Sequence, residues 1–183
     1  CPLRRCRCRE CNLLWCGWRD YLRGMSDDRL SLPLATEPAP ELPELPVAAE
    51  LRACRLCAAR FAATATAHEP RPVVWFARGA RVLVASQAPG MRVHQSGRPF
   101  TDASGQRLRD WMGVDEATFY DRSRVAIVPM GFCFPGYDAK GSDLPPRREC
   151  APLWRQAVLD AMPQIDLVLA IGQYAQAYHL GGR

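Results

Sequence analysis

Three short apolar runs, each ending at a proline or a glycine, constrain this chain more than anything else in it. Val82-Leu83-Val84-Ala85 stops at Ala88-Pro89-Gly90, Val125-Ala126-Ile127-Val128 stops at Pro129, and the run from Asp166 to Ile171 turns at Gly172. Runs of this length without strict alternation read as strands buried on both faces. Between them lie segments with helical spacing: Leu108, Trp111 and Met112 after the first, then Leu153, Trp154, Ala157, Val158 and Ala161 after the second. Asp102 or Ser104 is placed to cap the former, and Asp115 a short helix through Tyr120. Alternating strand and helix predicts an α/β domain with a mainly parallel sheet. In such sheets ligands bind where the strands end. That points to residues 86–100, read as a ligand loop with one aromatic, Phe100, and to the long Gly- and Pro-rich loop 131–148.

The rest of the chain divides around this domain. Residues 1–24 hold five cysteines and six arginines without a helical or strand period, and are expected to be a non-native or disordered basic leader. Residues 25–46 interleave proline with glutamate, as in an extended linker. The domain is expected over residues 47–183, opening with a helix whose face carries Leu51, Cys54, Ala58, Phe61 and Ala62, followed by a short strand at Val73-Val74-Trp75-Phe76. The net charge of +5 is concentrated in the leader, so basicity alone does not indicate nucleic acid. No apolar run is long enough to span a bilayer and the amino terminus lacks the pattern of a signal peptide, which suggests a cytoplasmic protein.

Nine cysteines in a reducing compartment suggest metal ligands or free thiols. Outside the leader they are Cys54 and Cys57 in a C-x2-C, then Cys133 and Cys150 on either side of the long loop. Four thiolates suit zinc or a four-iron, four-sulfur cluster, and spacing alone does not choose between them or exclude unliganded thiols.

Ser86-Gln87-Ala88-Pro89-Gly90 followed by Gly97-Arg98-Pro99-Phe100 resembles the first motif of the uracil-DNA glycosylase superfamily, Gly-Glu-Ala/Gly-Pro-Gly and then Gly-Arg-Pro-Phe. The positions of the four cysteines are similar to those of its iron–sulfur-containing branch, and the likeness runs from about Leu51 to Leu180. The resemblance implies a three-layer α/β/α fold, incomplete at the carboxyl end because the family's His-Pro-Ser motif is expected beyond Arg183. It implies a monomeric bacterial enzyme of base excision repair, acting on DNA that contains a damaged or deaminated base. It also implies a 4Fe-4S cluster on Cys54, Cys57, Cys133 and Cys150, with zinc the alternative.

By the same resemblance, Phe100 stacks on the flipped base, Ser86, Ala88, Pro89, Gly90 and Pro129 line its pocket, and Gln87 and His94 stand at the catalytic positions. Releasing a base leaves positive charge on the sugar and negative charge on the base, so the site must hold the base and place water. Gln87 occupies a position where this branch commonly has glutamate; a carboxamide orients water but does not accept its proton. His94 replaces the acidic residue of the extended motif, and Pro129 the asparagine that reads uracil. Arg98, Arg147 and Arg148 are candidate phosphate contacts, or solvated surface. A non-catalytic, metal-stapled nucleic-acid-binding protein is the alternative reading.

Overall fold

The computed structural model describes residues 43–181. The leader and nearly all of the proline-rich linker therefore lie outside the described residues. Three strands, β1 (Val82–Ser86), β2 (Val125–Pro129) and β3 (Leu167–Ala170), form one parallel sheet in the order β2-β1-β3. Val84 pairs with Ile127 on one side and Leu169 on the other. Placing β1 in the middle brings all three carboxyl ends together, and each strand's last peptide is tied to its neighbour. Met130 N donates to Ser86 O at 2.8 Å, Gly131 N to Gln87 O at 2.9 Å and Ile171 N to Ala85 O at 2.8 Å.

Among the described residues seven helices flank the sheet: α1 (Pro46–Ala53), α2 (Ala58–Ala62), α3 (Met91–Ser96), α4 (Ala103–Met112), α5 (Glu116–Tyr120), α6 (Cys150–Asp160) and α7 (Gln173–Leu180). Leu83, Ala126 and Val128 meet α1 and α6 through Leu45, Ala48, Leu51, Val158 and Met162. By alternation Val84, Val125 and Ile127 face the other way, where α5 packs on β2 and Phe119 is fully buried. Asp102 caps α4 by accepting from Gly105 N at 3.1 Å, and Asp115 caps α5 by accepting from Thr118 N at 2.7 Å.

The structure corrects several expectations. Leu45 is only 3% exposed and α1 starts at Pro46, so the end of the linker is already core; burying a leucine contributes about 2 kcal/mol. The amino-terminal helix is not continuous: Cys54 is extended, with ψ 127°, and Cys57 begins a second helix. Residues 73–76 make a single antiparallel bridge, Trp75 to Ile127, instead of a strand. Pro70 and Pro72 offer no N–H, and Val73 N donates to Phe132 O, so no ladder extends. Residues 91–96, read as loop, are helix α3, closed by Gly97 at φ 71°. On α6 the buried face is rotated from the expected one: Leu153 is 50% exposed while Arg155 is 0% exposed.

Candidate active site and cysteine cavity

A cavity of about 210 Å³ opens where the strands end. Ser86, Gln87, Ala88, Pro89, Gly90, Phe100 and Pro129 all line it, so the two halves of the motif and the end of β2 meet in one place. Drug-sized ligands usually occupy about 300–1,000 Å³; this cavity suits one small ring better than a whole nucleotide.

The aromatic wall is built with strain. Phe100 has φ +55°, a conformation few non-glycine residues adopt. It is held there through its carbonyl oxygen, which lies 2.9 Å from the Tyr120 hydroxyl and 3.3 Å from Arg109 Nη1. The Tyr120 hydroxyl shares its proton with the Pro99 carbonyl at 2.8 Å. The Phe100 ring meets Phe119 edge-on at 5.9 Å. A ring fixed this way presents a preformed stacking face.

Gln87 lies against Gly172, where an added Cβ would come within 2.7 Å of its Cγ and Cδ. The bare glycine, at φ +83°, lets that side chain rest between the ends of β1 and β3. Pro129 gives the cavity a wall without side-chain donor or acceptor, and its carbonyl accepts from Arg155 Nη1 at 3.3 Å.

His94 stands elsewhere. Helix α3 directs it into an aromatic cluster, 5.1 Å from the His68 ring and 5.9 Å from Phe134, and it is not among the residues lining the cavity. Burial, His68 and Arg71 hold its pKa below the usual histidine value, and its Nδ1 is buried without a partner.

None of the three candidate phosphate arginines lines the cavity. Arg98 donates to Glu116 Oε1 at 2.9 Å and lies 3.8 Å over the Tyr120 ring, bracing the turn that carries Phe100. Arg147 and Arg148 share a separate hollow of about 340 Å³ with Arg60.

Sequence reasoning missed two acidic groups here. Asp102 lines the cavity, but its Oδ1 accepts from Ser104 Oγ at 2.5 Å and from Gly105 N, which holds its carboxyl below the ordinary range. Asp143 lies beside Gly90 but does not line the cavity. Only the helix cap on Asp102 was visible in the sequence.

The four cysteines wall a second, apolar cavity of about 20 Å³, together with Leu51, Phe61 and Trp154. Cys54 and Cys57 come from the break between α1 and α2, Cys133 from the long loop and Cys150 from the first turn of α6. Cys150 Sγ accepts from Phe132 N at 3.4 Å. Burial pushes Cys133 up to about 12 and Cys150 to about 11, and the cysteines raise one another. Metal-free, Cys133 and Cys150 are neutral at ordinary pH, and a cation beside them would favour their ionisation. Among the described residues no group of three or more His, Cys, Asp or Glu side chains is gathered to hold a metal ion. What the thiols share is the cavity they wall.

A pH effect follows. Both thiols are pushed above the ordinary thiol value of 9.0, so the folded state binds more protons between that pH and about 11–12. This contribution is fully present below pH 9 and is lost as pH rises toward 12. The melting temperature of metal-free protein is expected to fall over that window, and less in Cys133→Ala; calorimetry across the pH series checks it.

Fold and site define an α/β domain presenting one ring-sized pocket at the carboxyl ends of parallel strands, with a four-thiol cavity alongside. A sequence model of the uracil DNA glycosylase superfamily matches residues 73–183, and the chain belongs to that superfamily. Cys54 and Cys57 precede the matched segment yet wall the same cavity as Cys133 and Cys150. Among the described residues no helix is long and apolar enough to cross a membrane.

Proposed function

We propose that this chain is a DNA glycosylase of base excision repair, which hydrolyses the N-glycosidic bond of uracil or a related damaged base flipped out of DNA. The supporting observation is the convergence of residues 86–90, Phe100 and Pro129 on one ring-sized cavity with a fixed aromatic wall. Phe100 stacks on the extruded base; such stacking is worth about 1–3 kcal/mol per base and tolerates any base. Choice of base then falls to hydrogen bonds around the ring. Gln87, against Gly172, orients water or the base edge without accepting a proton. Arg147 and Arg148, with Arg60, give a basic hollow for phosphate, and Arg98 acts indirectly by steadying the Phe100 turn.

We assign the four cysteines to a 4Fe-4S cluster, which their thiolates would hold, with zinc as the alternative. The donor set is all thiol and walls one cavity from three separate segments, so a bound cluster would staple them. Its contribution in this reading is structural. In this reading the protein acts as a monomer in the bacterial cytoplasm.

The test is single-turnover incubation with uracil- and hypoxanthine-containing duplexes, followed by alkaline cleavage at abasic sites. Cleavage at the marked position is expected, and binding without base release would sink the reading. That outcome would favour a non-catalytic nucleic-acid-binding protein, a view with one specific support: Pro129 offers no side-chain hydrogen bond where a base must be read. Pro129→Asn restores a donor and an acceptor. Its rate on uracil is expected to rise about tenfold, the worth of one good hydrogen bond at roughly 1.4 kcal/mol, in the same assay.

A further inference from the structure

A phenylalanine at φ +55° stays there only if its surroundings oppose relaxation. The opposing contacts come from the last residue of α5. The Tyr120 hydroxyl lies 2.8 Å from the Pro99 carbonyl oxygen and 2.9 Å from that of Phe100, so two successive carbonyls share one donor. In an extended chain successive carbonyls point apart; the turn at Phe100 brings them together. Arg109 Nη1 gives the Phe100 carbonyl a second donor at 3.3 Å, from a buried side chain. Burial pushes the Tyr120 hydroxyl above the ordinary tyrosine value, so it keeps the proton it donates.

The Tyr120 ring is itself held firmly. It meets Phe119 edge-on at 5.1 Å and Trp75 at 5.5 Å, and the Arg98 guanidinium lies 3.8 Å over its face. Phe119 in turn meets the Phe100 ring, and Trp75 lines the cavity. Helix α5 is capped by Asp115 and packs on β2, the strand that ends at Pro129. One short helix therefore ties the stacking ring to the rest of the cavity. Tyr120 is not among the residues lining that cavity, so any effect it has on a bound ring passes through Phe100.

We propose that Tyr120 is a positioning residue for the flipped base, its hydroxyl holding Phe100 in the stacking orientation before DNA arrives, an inference that rests on the glycosylase reading. Without the hydroxyl, Pro99 loses its acceptor contact and Phe100 keeps only the longer one to Arg109. The turn then relaxes toward negative φ, and the ring has to be restored to its place at the moment of binding. When the competent fraction falls, apparent affinity falls by the same fraction, while the step after binding keeps its rate. Tyr120 is thus expected to set affinity for the extruded ring, not the rate of bond breaking.

The experiment uses the full chain and Tyr120→Phe, which deletes the hydroxyl and retains a ring against Phe119, Trp75 and Arg98. Its affinity for a duplex carrying one uncleavable 2′-fluoro-deoxyuridine is expected to fall about tenfold, with the single-turnover rate at saturating enzyme within about twofold of wild type. In a Phe100→Ala background there is no ring to place, so the same substitution is expected to change affinity by less than about twofold. In crystals of the free Tyr120→Phe protein, Phe100 is expected at negative φ with its ring displaced. Wild-type affinity in Tyr120→Phe overturns the proposal, as does an equal loss in both backgrounds, which marks an effect that bypasses Phe100. A saturating rate lost along with affinity marks general damage and overturns it too, and so does a free variant that keeps Phe100 at positive φ. If the wild type binds the marked duplex no better than an unmarked one, the glycosylase reading fails, and the crystal of the free variant judges the hold of Tyr120 on Phe100 separately.

Discussion

Gly105→Ala is expected to cost about 3 kcal/mol of stability and to disable the pocket. A methyl group at this position would lie 1.8 Å from the Phe100 carbonyl oxygen and 2.5 Å from its carbonyl carbon. The obstacle is backbone, so no side-chain rotation relieves it, and overpacking against a fixed neighbour costs about 1–3 kcal/mol or more. Either the first turn of α4 moves and loses the Asp102 cap, or Phe100 leaves its positive φ and swings its ring. Both destroy the aromatic wall. For a domain of this size the expected loss is about 6–12 °C in melting temperature. Base release should fall at least tenfold even at temperatures where the variant is folded. Thermal unfolding with single-turnover kinetics checks both; a variant with wild-type stability and rate would show that the strained Phe100 turn is unimportant.

Cys133→Ala is expected to abolish the visible absorption of protein purified without oxygen and to lower its melting temperature by about 10 °C. Cys133 lies on the long loop and Cys54 and Cys57 between α1 and α2, so a shared cluster would add a tie between separate segments. Metal bound only by the folded state contributes its binding free energy to folding. A loss of about 4 kcal/mol corresponds to the expected shift in a domain of this size. Absorption spectroscopy with iron, sulfide and zinc analysis makes the measurement. Colourless wild-type protein with stoichiometric zinc would replace the cluster by zinc, and a metal-free wild type as stable as the loaded form would remove both.

The sheet was legible because its signal is local: three apolar runs, each stopped by a proline or glycine, leave few other folds. The cavity residues were legible too, since residues 86–90 and Phe100 belong to one motif and Pro129 ends the neighbouring strand. What failed depends on tertiary placement. An arginine on an apolar helix face reads as solvated, yet Arg155 is fully buried because the carbonyls of Val128 and Pro129 accept from its Nη1, at 3.1 and 3.3 Å. Tyr178 lies under its guanidinium at 4.9 Å, and His179 Nε2 contacts Nη2. No period in α6 announces partners on β2 and α7. His94 seemed a site residue because it falls inside the motif, but residues 91–96 coil into α3 and its helical phase turns the ring toward His68. Asp143 carries no sequence signal, since its approach to Gly90 depends on a hairpin whose closure involves Gly136, Asp138 and Ser142.

The most direct test of a base-flipping pocket is the crystal structure of this protein on a duplex carrying a single uncleavable 2′-fluoro-deoxyuridine. The uracil ring is expected out of the helix, stacked on Phe100, between residues 86–90 on one side and Pro129 on the other. A bound duplex with every base stacked and the cavity free of the ring would contradict it.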